Sequence, residues 1–501
     1  MNDIATYCSA TYTWAQFTPA FILIGVAAVL LMADTFIKAL PKRAYAVTAA
    51  LSVLLVGCYT VSGEHTNAYS FLACLATGLS ILVAYDYTKV SCASIAGGTS
   101  DEGTGEFYAL PLVACAGILC LTQAADLIMI FVSLEVVTLT SYVLAGYFRR
   151  NQGSIEAGIK YLVLGAMSTG ILVFGAAWYF GMTGTFILDS DVVIKTLSGS
   201  VASGTVAIGF LMSVALLFLG AFFKVGAAPM HVWIPDVYQG APTPTTTFLA
   251  VASKTAGFAL LCALVVPFRS KLLAIPGTHV ADMLVNVFAV VAGATLLIGN
   301  LGALFQSNAK RLLGYSSIGQ AGFILVFFLN LNPPDFLKIS EHLSGPVEVL
   351  TYKYLLAYTL ATVAAFFAIA MVRTQRGSEE ISAFRGLGKT NPRTAFLIVV
   401  SFASLAGVPL TMGFMVKMAS FFALVGAMQS WTYLVWLLPI MILTATAGFY
   451  YYFKIIRAMY WEKPQSGDKP LCVPFCTACV MTACAIALIV LGTWPLLTAF
   501  K

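Results

Sequence analysis

The stretch Leu216–Gly257 reads LLFLGAFFKVGAAPMHVWIPDVYQGAPTPTTTFLAVASKTAG and decides how the rest of the chain is read. It carries two lysines, Lys224 and Lys254, each inside an apolar run of membrane-spanning character. A segment rich in Pro, Gly and aromatics separates them. A lysine at the centre of a bilayer costs roughly 2.5–3.5 kcal/mol on insertion scales. Two of them in successive helices are a penalty that calls for a function.

Outward from that stretch the composition agrees. The 501 residues are 60% hydrophobic and only 10% charged, against about 25% charged in soluble domains. Spans of roughly 20 apolar residues recur fourteen times: near 17–36, 44–62, 67–87, 108–122, 125–147, 156–181, 204–228, 243–267, 282–304, 310–331, 351–373, 394–424, 431–456 and 474–497. The fold class is therefore an all-α polytopic membrane protein. No soluble domain fits between the spans, and nucleic-acid binding is excluded by so apolar a chain. No cleavable signal peptide is expected at the start. The longest connections are 88–107, which contains a Gly/Ser-rich run, 332–350 and 374–393.

With the N-terminus outside and the helices alternating, 17 of the 27 Lys and Arg residues fall on the cytoplasmic side. Six fall outside, and Lys160, Lys224, Lys254 and Lys417 fall within helices. That asymmetry follows the positive-inside rule and supports an even number of spans, with both termini outside.

Two interruptions echo each other. Gly226-Ala-Ala-Pro229 breaks the seventh helix and Ala406-Gly407-Val408-Pro409 breaks the twelfth. The two run in opposite directions in this topology, the pattern of inverted repeats with function at the breaks.

The ionisable residues at depth are few. Glu135 lies in the fifth helix and Lys160 about one turn into the sixth. Lys224 precedes the break in the seventh, Lys254 sits mid-eighth and Lys417 follows the break in the twelfth. For Lys160, snorkelling from a helix end is the competing reading. For the others it is a structural ion pair or a buried subunit contact. Ion pairing would need an acid per lysine, yet only Glu135 is available at depth. Bases in excess point to amines that spend time neutral, because desolvation disfavours the ammonium. Such amines can take up and release protons. Glu135 would hold Lys224 charged when close, Lys224 would pass its proton towards Lys254, and Lys417 would carry it onward. Backbone groups freed at the breaks would hold water. His231, just after the first break, has an ordinary pKa suited to proton exchange; a structural imidazole is the alternative. Ser133, Thr138, Thr140, Ser141, Thr245, Thr246, Thr247 and Ser253 could line a wet path, or could bond their own helix carbonyls.

Neither a phosphate loop nor a dinucleotide fingerprint nor zinc spacing occurs. The cysteines, including Cys476 and Cys479 with Cys472 and Cys484 nearby, read as small apolar filler. The histidines His65, His231, His279 and His342 do not pair on a mid-membrane helix, so no redox centre is expected in this chain.

Several segments resemble a known family: Phe223–Phe258 (FKVGAAPMHVWIPDVYQGAPTPTTTFLAVASKTAGF), LEVVTLTSYVLAGY, IKYLVLGAMSTGILVFGAAWYFGMTGT, NLGALFQSNAKRLLGYSSIGQAGF, FRGLGKTNPRTAF and SLAGVPLTMGFMVKM. They are similar to the proton-conducting membrane family shared by respiratory complex I, the NADH-quinone oxidoreductase, and Mrp-type cation/proton antiporters. The variant PDVYQGAPTP followed by TTFLAVASK resembles the subunit N (subunit 2) branch. The resemblance implies fourteen helices with two inverted five-helix repeats and broken helices seven and twelve. It divides the chain into an N-terminal segment at 1–107, repeats at 108–267 and 268–457, and a last helix at 458–501. It implies a relay of Glu135, Lys224, Lys254 and Lys417; His231 and Lys160 remain further candidates from their positions and chemistry alone. A glutamate at position 417 would have pointed to subunit M instead.

The implied setting is a bacterial inner membrane rather than an organellar one, among L- and M-like and small K-, J- and A-like membrane-arm subunits. NAD, FMN, iron–sulfur clusters and quinone would sit on partner chains, and none on this one. The sequence departs from the family near residue 100 and at 332–350. The alternative is a Mrp-type Na+/H+ antiporter subunit without redox partners.

Overall fold

The computed structural model describes residues 12–37, 42–62, 67–96, 105–188, 206–269, 280–330, 346–464 and 470–499. Much of 88–107 and most of 332–350, together with His65, His279, His342 and both chain ends, lie outside the described residues.

A helix closes its own backbone hydrogen bonds, so it is the cheapest way to carry a peptide chain through lipid. Among the described residues, fourteen helices are long and apolar enough to cross a membrane. They follow the expected spans in order and are named here by ordinal. Several run longer than their apolar windows suggest. The third extends over Ala68–Ala96, the sixth over Gln152–Thr183 and the eleventh over Val347–Arg376. The sixth begins at Asn151, whose side chain accepts from the Gly153 N–H and so satisfies a free amide of the first turn. Lys160 is consequently two turns inside that helix rather than one.

Burial separates an inner set from a perimeter. The eighth, tenth and eleventh spans are each 94% buried over their apolar windows, whereas the first and thirteenth are 28% buried. The inner three carry Lys254, Lys310, Ser317, Gln320 and Tyr354. The perimeter helices turn Leu, Ile, Val and Phe side chains outward, as a lipid- or subunit-facing surface requires.

Contacts between connections confirm that the spans alternate. At one end, Lys160 meets Asp236, Arg311 meets Asp236, and Lys310 meets Glu379. The starts of the sixth and tenth helices, the approach to the eighth and the exit of the eleventh therefore share that end. Arg385 and Glu462 pair there as well. At the other end, the Tyr12 hydroxyl donates to Asp126, Tyr69 donates to the Glu348 carbonyl, and the Trp431 indole donates to Asp282.

Both expected breaks are present. The seventh span, Val206–Val225, stops at Gly226 with φ +75°, and a short helix Trp233–Gly240 resumes seven residues later. The stretch expected as one interrupted twelfth helix is two separate helices, Pro392–Ala406 and Met412–Ser430. Between them Gly407 has φ +88° and Leu410 has φ +74°. Gly is the residue that adopts this left-handed backbone without strain; Leu410 adopts it at a cost.

Candidate functional site

The breaks free backbone groups that something must satisfy. In the seventh helix side chains do so. Trp233 Nε1 donates to the Phe223 carbonyl at 3.1 Å, and the Ala228 N–H donates to Thr295 Oγ1 at 2.9 Å. At the second break the partner is an ammonium. Lys417 Nζ donates to the Leu405 carbonyl at 2.7 Å and to the Ala406 carbonyl at 2.9 Å. Freed groups expected to hold water are thus taken in part by Trp233, Thr295 and Lys417.

The two break lysines both lie beside the C-terminal end of a half-helix. Lys224 lies in the last turn of Val206–Val225, and Lys417 binds the terminal carbonyls of Pro392–Ala406. The Lys417 ammonium thus faces the negative end of a half-helix, where a cation is stabilised. Gly407 makes room for the second: a methyl group there would come within 2.9 Å of Lys417 Cδ.

Lys224, Lys254 and Lys417 are 7%, 2% and 7% exposed, so all three side chains are buried within the chain. Lys254 Nζ donates to Ser317 Oγ at 2.6 Å and also to the Ser317 carbonyl, and lies 5.3 Å from the Tyr358 ring centre. These acceptors are neutral. Lys224 Nζ and Glu135 Oε1 are both buried without a hydrogen-bond partner. The pair is therefore apart, not closed.

Small residues bring these helices together. Gly257, one turn beyond Lys254, lies against the Lys224 backbone, and Gly117 lies against Ser133 and Val136, on either side of Glu135. The hydroxyl-bearing residues divide. Thr138, Thr140, Ser141 and Thr247 donate to carbonyls of their own helices. Thr245 instead reaches the Leu144 carbonyl of the fifth span, and Ser133 Oγ has no partner.

Lys160 and His231 are set apart from this row. Lys160, two turns into the sixth span, is half-exposed and pairs with Glu156 at 2.6 Å and Asp236 at 2.7 Å, its ammonium reaching towards the helix start as a snorkelling lysine does. His231 follows the first break, half-buried, with its pKa lowered by burial.

Three features were not singled out in the sequence. The first is a buried ionic group: Lys310 and Glu379 pair at 3.2 Å, Arg373 approaches Glu379 at 3.4 Å, and Lys310 Nζ donates to the Ala241 carbonyl. By sequence Lys310 is one of the cytoplasmic-side cations at the start of the tenth span. The second is a polar cavity of about 350 Å³ beside it, lined by Glu156, Asp236, Lys310, Arg311, Arg373 and Glu379. The third is a neutral network joining the tenth, eleventh and thirteenth spans and the first half of the broken twelfth. Ser316 bonds Tyr452, Gln320 donates to Tyr452 and to the Leu405 carbonyl, and Tyr354 donates to Gln320. The segment KRLLGYSSIGQ carried the only local signal, a polar Ser-Ser-x-x-Gln run inside an apolar helix. Among the described residues no cluster of His, Cys, Asp or Glu could hold a metal ion.

A fourteen-span fold with ammonium groups buried at helix breaks defines a membrane protein built around proton or cation chemistry. Comparison with known proteins identifies which one it resembles. The family model for the NADH:quinone oxidoreductase/Mrp antiporter transmembrane region matches residues 124–444. Subunit N of the NADH-quinone oxidoreductase of Brevibacillus brevis is 34% identical, covering 97% of this chain and 94% of the relative. A chain of respiratory complex I from Thermus thermophilus superposes with a TM-score of 0.71 at 26% identity, covering 97% of this chain and 99% of that one. A chain of the Mrp complex from Dietzia sp. superposes with a TM-score of 0.73, covering 97% of this chain and 96% of that one; at 18% identity it shares the fold. The chain belongs to the NADH:quinone oxidoreductase/Mrp antiporter transmembrane family.

Proposed function

We propose that this chain is the proton-translocating subunit N of an NADH-quinone oxidoreductase, and that Glu135, Lys224, Lys254 and Lys417 are its proton relay. The observation that carries the reading is the burial of three lysines with neutral acceptors or none. An ammonium solvated only by carbonyls and a hydroxyl is far easier to deprotonate than one locked to a carboxylate.

Glu135 and Lys224 form the switch. Approach of the carboxylate stabilises the Lys224 ammonium. Withdrawal of the carboxylate, the arrangement described above, releases the proton towards Lys254. The tenth span then connects Lys254, through Ser317 and its neighbours, with the Lys417 region. His231 and Lys160 act at the margin of this path.

The two breaks support an organisation into inverted repeats at 108–267 and 268–457, flanked by 1–107 and 458–501. The subunit works in a bacterial inner membrane beside L- and M-like and small K-, J- and A-like subunits, with both termini outside. NADH oxidation, flavin, iron–sulfur clusters and the quinone site belong to partner chains, which supply the driving free energy. The likeness in fold to the Dietzia chain keeps one second reading, a subunit of a Na+/H+ antiporter. Neighbouring genes for flavin and iron–sulfur subunits would favour the first.

The test is proton uptake by membrane vesicles during NADH-driven quinone reduction. Lys224→Ala and Glu135→Ala, each in a fully assembled complex, should cut proton uptake severalfold. Full uptake in both variants would end the relay reading.

A further inference from the structure

Gln320 is almost fully buried in the tenth span, and each of its polar atoms is committed. Nε2 donates to the Leu405 carbonyl at 3.1 Å and to the Tyr452 hydroxyl at 3.2 Å, and Oε1 accepts from the Tyr354 hydroxyl at 2.5 Å. One amide thus ties together the tenth, eleventh and thirteenth spans and the first half of the broken twelfth. The Leu405 carbonyl is also an acceptor for Lys417, whose Nζ lies 2.7 Å away. Both lone pairs of that oxygen are therefore used, one by the neutral amide and one by the ammonium.

We propose that Gln320 is a positioning residue for Lys417, fixing the carbonyl end of the helix break so that the twelfth-span ammonium is held in one geometry. The inference rests on the relay reading. Pro392–Ala406 ends at the break, so its last carbonyls lack the intrahelical partners that would otherwise fix them. A lysine has four rotatable side-chain bonds, and its ammonium follows whichever acceptor is held still. Gln320 supplies that fixed point from a different helix. Gln is suited to this because its amide donates and accepts without ionising at neutral pH. It orients without competing for the proton. A carboxylate at the same position would lose both donors and draw the Lys417 ammonium off the break.

The experiment uses the assembled complex in native membrane vesicles. It compares Gln320→Met, close in length and volume but without donors, with Gln320→Glu, Lys417→Ala and the Gln320→Met/Lys417→Ala double variant. The readouts are assembly, KM and kcat for quinone reduction, and proton uptake per NADH oxidised. Gln320→Met should leave assembly and KM unchanged and lower proton uptake severalfold, because it removes the bonds to the Leu405 carbonyl, Tyr452 and Tyr354. Gln320→Glu should lower it further. The double variant should pump no less than Lys417→Ala alone. Full uptake in Gln320→Met, or a further fall of the same factor in the double variant, would overturn the proposal and assign Gln320 to packing. If Lys417→Ala itself pumps fully, the relay reading fails; if Lys417→Ala is impaired and Gln320→Met is normal, only the role of Gln320 fails.

Discussion

Gly257 lies directly against Lys224. A methyl group added at that glycine would approach the Lys224 carbonyl carbon to 3.0 Å and its Cβ to 3.1 Å. The contact brings the seventh and eighth spans together one turn from Lys254. Small residues serve this purpose where helices meet in a membrane. Gly257→Val should push the helices apart and separate the two ammonium groups. Proton uptake should fall severalfold while Gly257→Ala, with only one methyl to accommodate, falls less. Equal, wild-type uptake in both would show that the close approach has no functional weight.

Lys224→Arg keeps the positive charge but not the capacity to release a proton, because guanidinium stays protonated at any working pH. It should impair coupled proton uptake nearly as much as Lys224→Ala does, despite normal assembly. Restoration of uptake by arginine would mean that a fixed charge suffices at this position. The measurement is proton uptake per NADH oxidised in vesicles of matched complex content.

Glu379 is 5% exposed in its side chain and Lys310 is 3% exposed. Removing one member of a buried pair leaves the other charged and unpaired, at a cost of about 3–5 kcal/mol. Glu379→Ala should therefore lower the melting temperature of the purified complex, or prevent its assembly. The double variant Glu379→Leu/Lys310→Met should recover much of the loss, since the only charge it leaves without its partner is Arg373, which is 34% exposed and reaches water. Thermal melts of the three forms decide the matter, and a double variant worse than Glu379→Ala would show that the charges are needed for more than pairing.

His231 has its pKa lowered by burial. Below the unfolded value near 6.5 the unfolded chain binds a proton that the folded chain resists, so stability attributable to this group is present above that pH and is lost as pH falls. His231→Gln should remove this dependence. Between pH 7.5 and pH 5.5 the wild-type complex should lose more thermal stability than the variant does. Parallel losses would place the imidazole in free contact with water.

The sequence by itself determined the number and order of the spans, the two breaks, and the lysines that had to be explained. These are local properties. A helix in lipid must satisfy its own backbone, so its presence is written in the length of one apolar run, and a Gly-Ala-Ala-Pro or Ala-Gly-Val-Pro interruption marks its end. Only the tertiary structure decided what each buried group touches. Leu405 comes under Gln320, which lies 85 residues earlier in the chain, and Ser317 under Lys254 at a separation of 63. Lys310 reads as one more cation at a membrane edge until Glu379 is found beside it. A hydrogen bond acts over about 3 Å, and only the packing of helices distant in sequence determines which groups come that close.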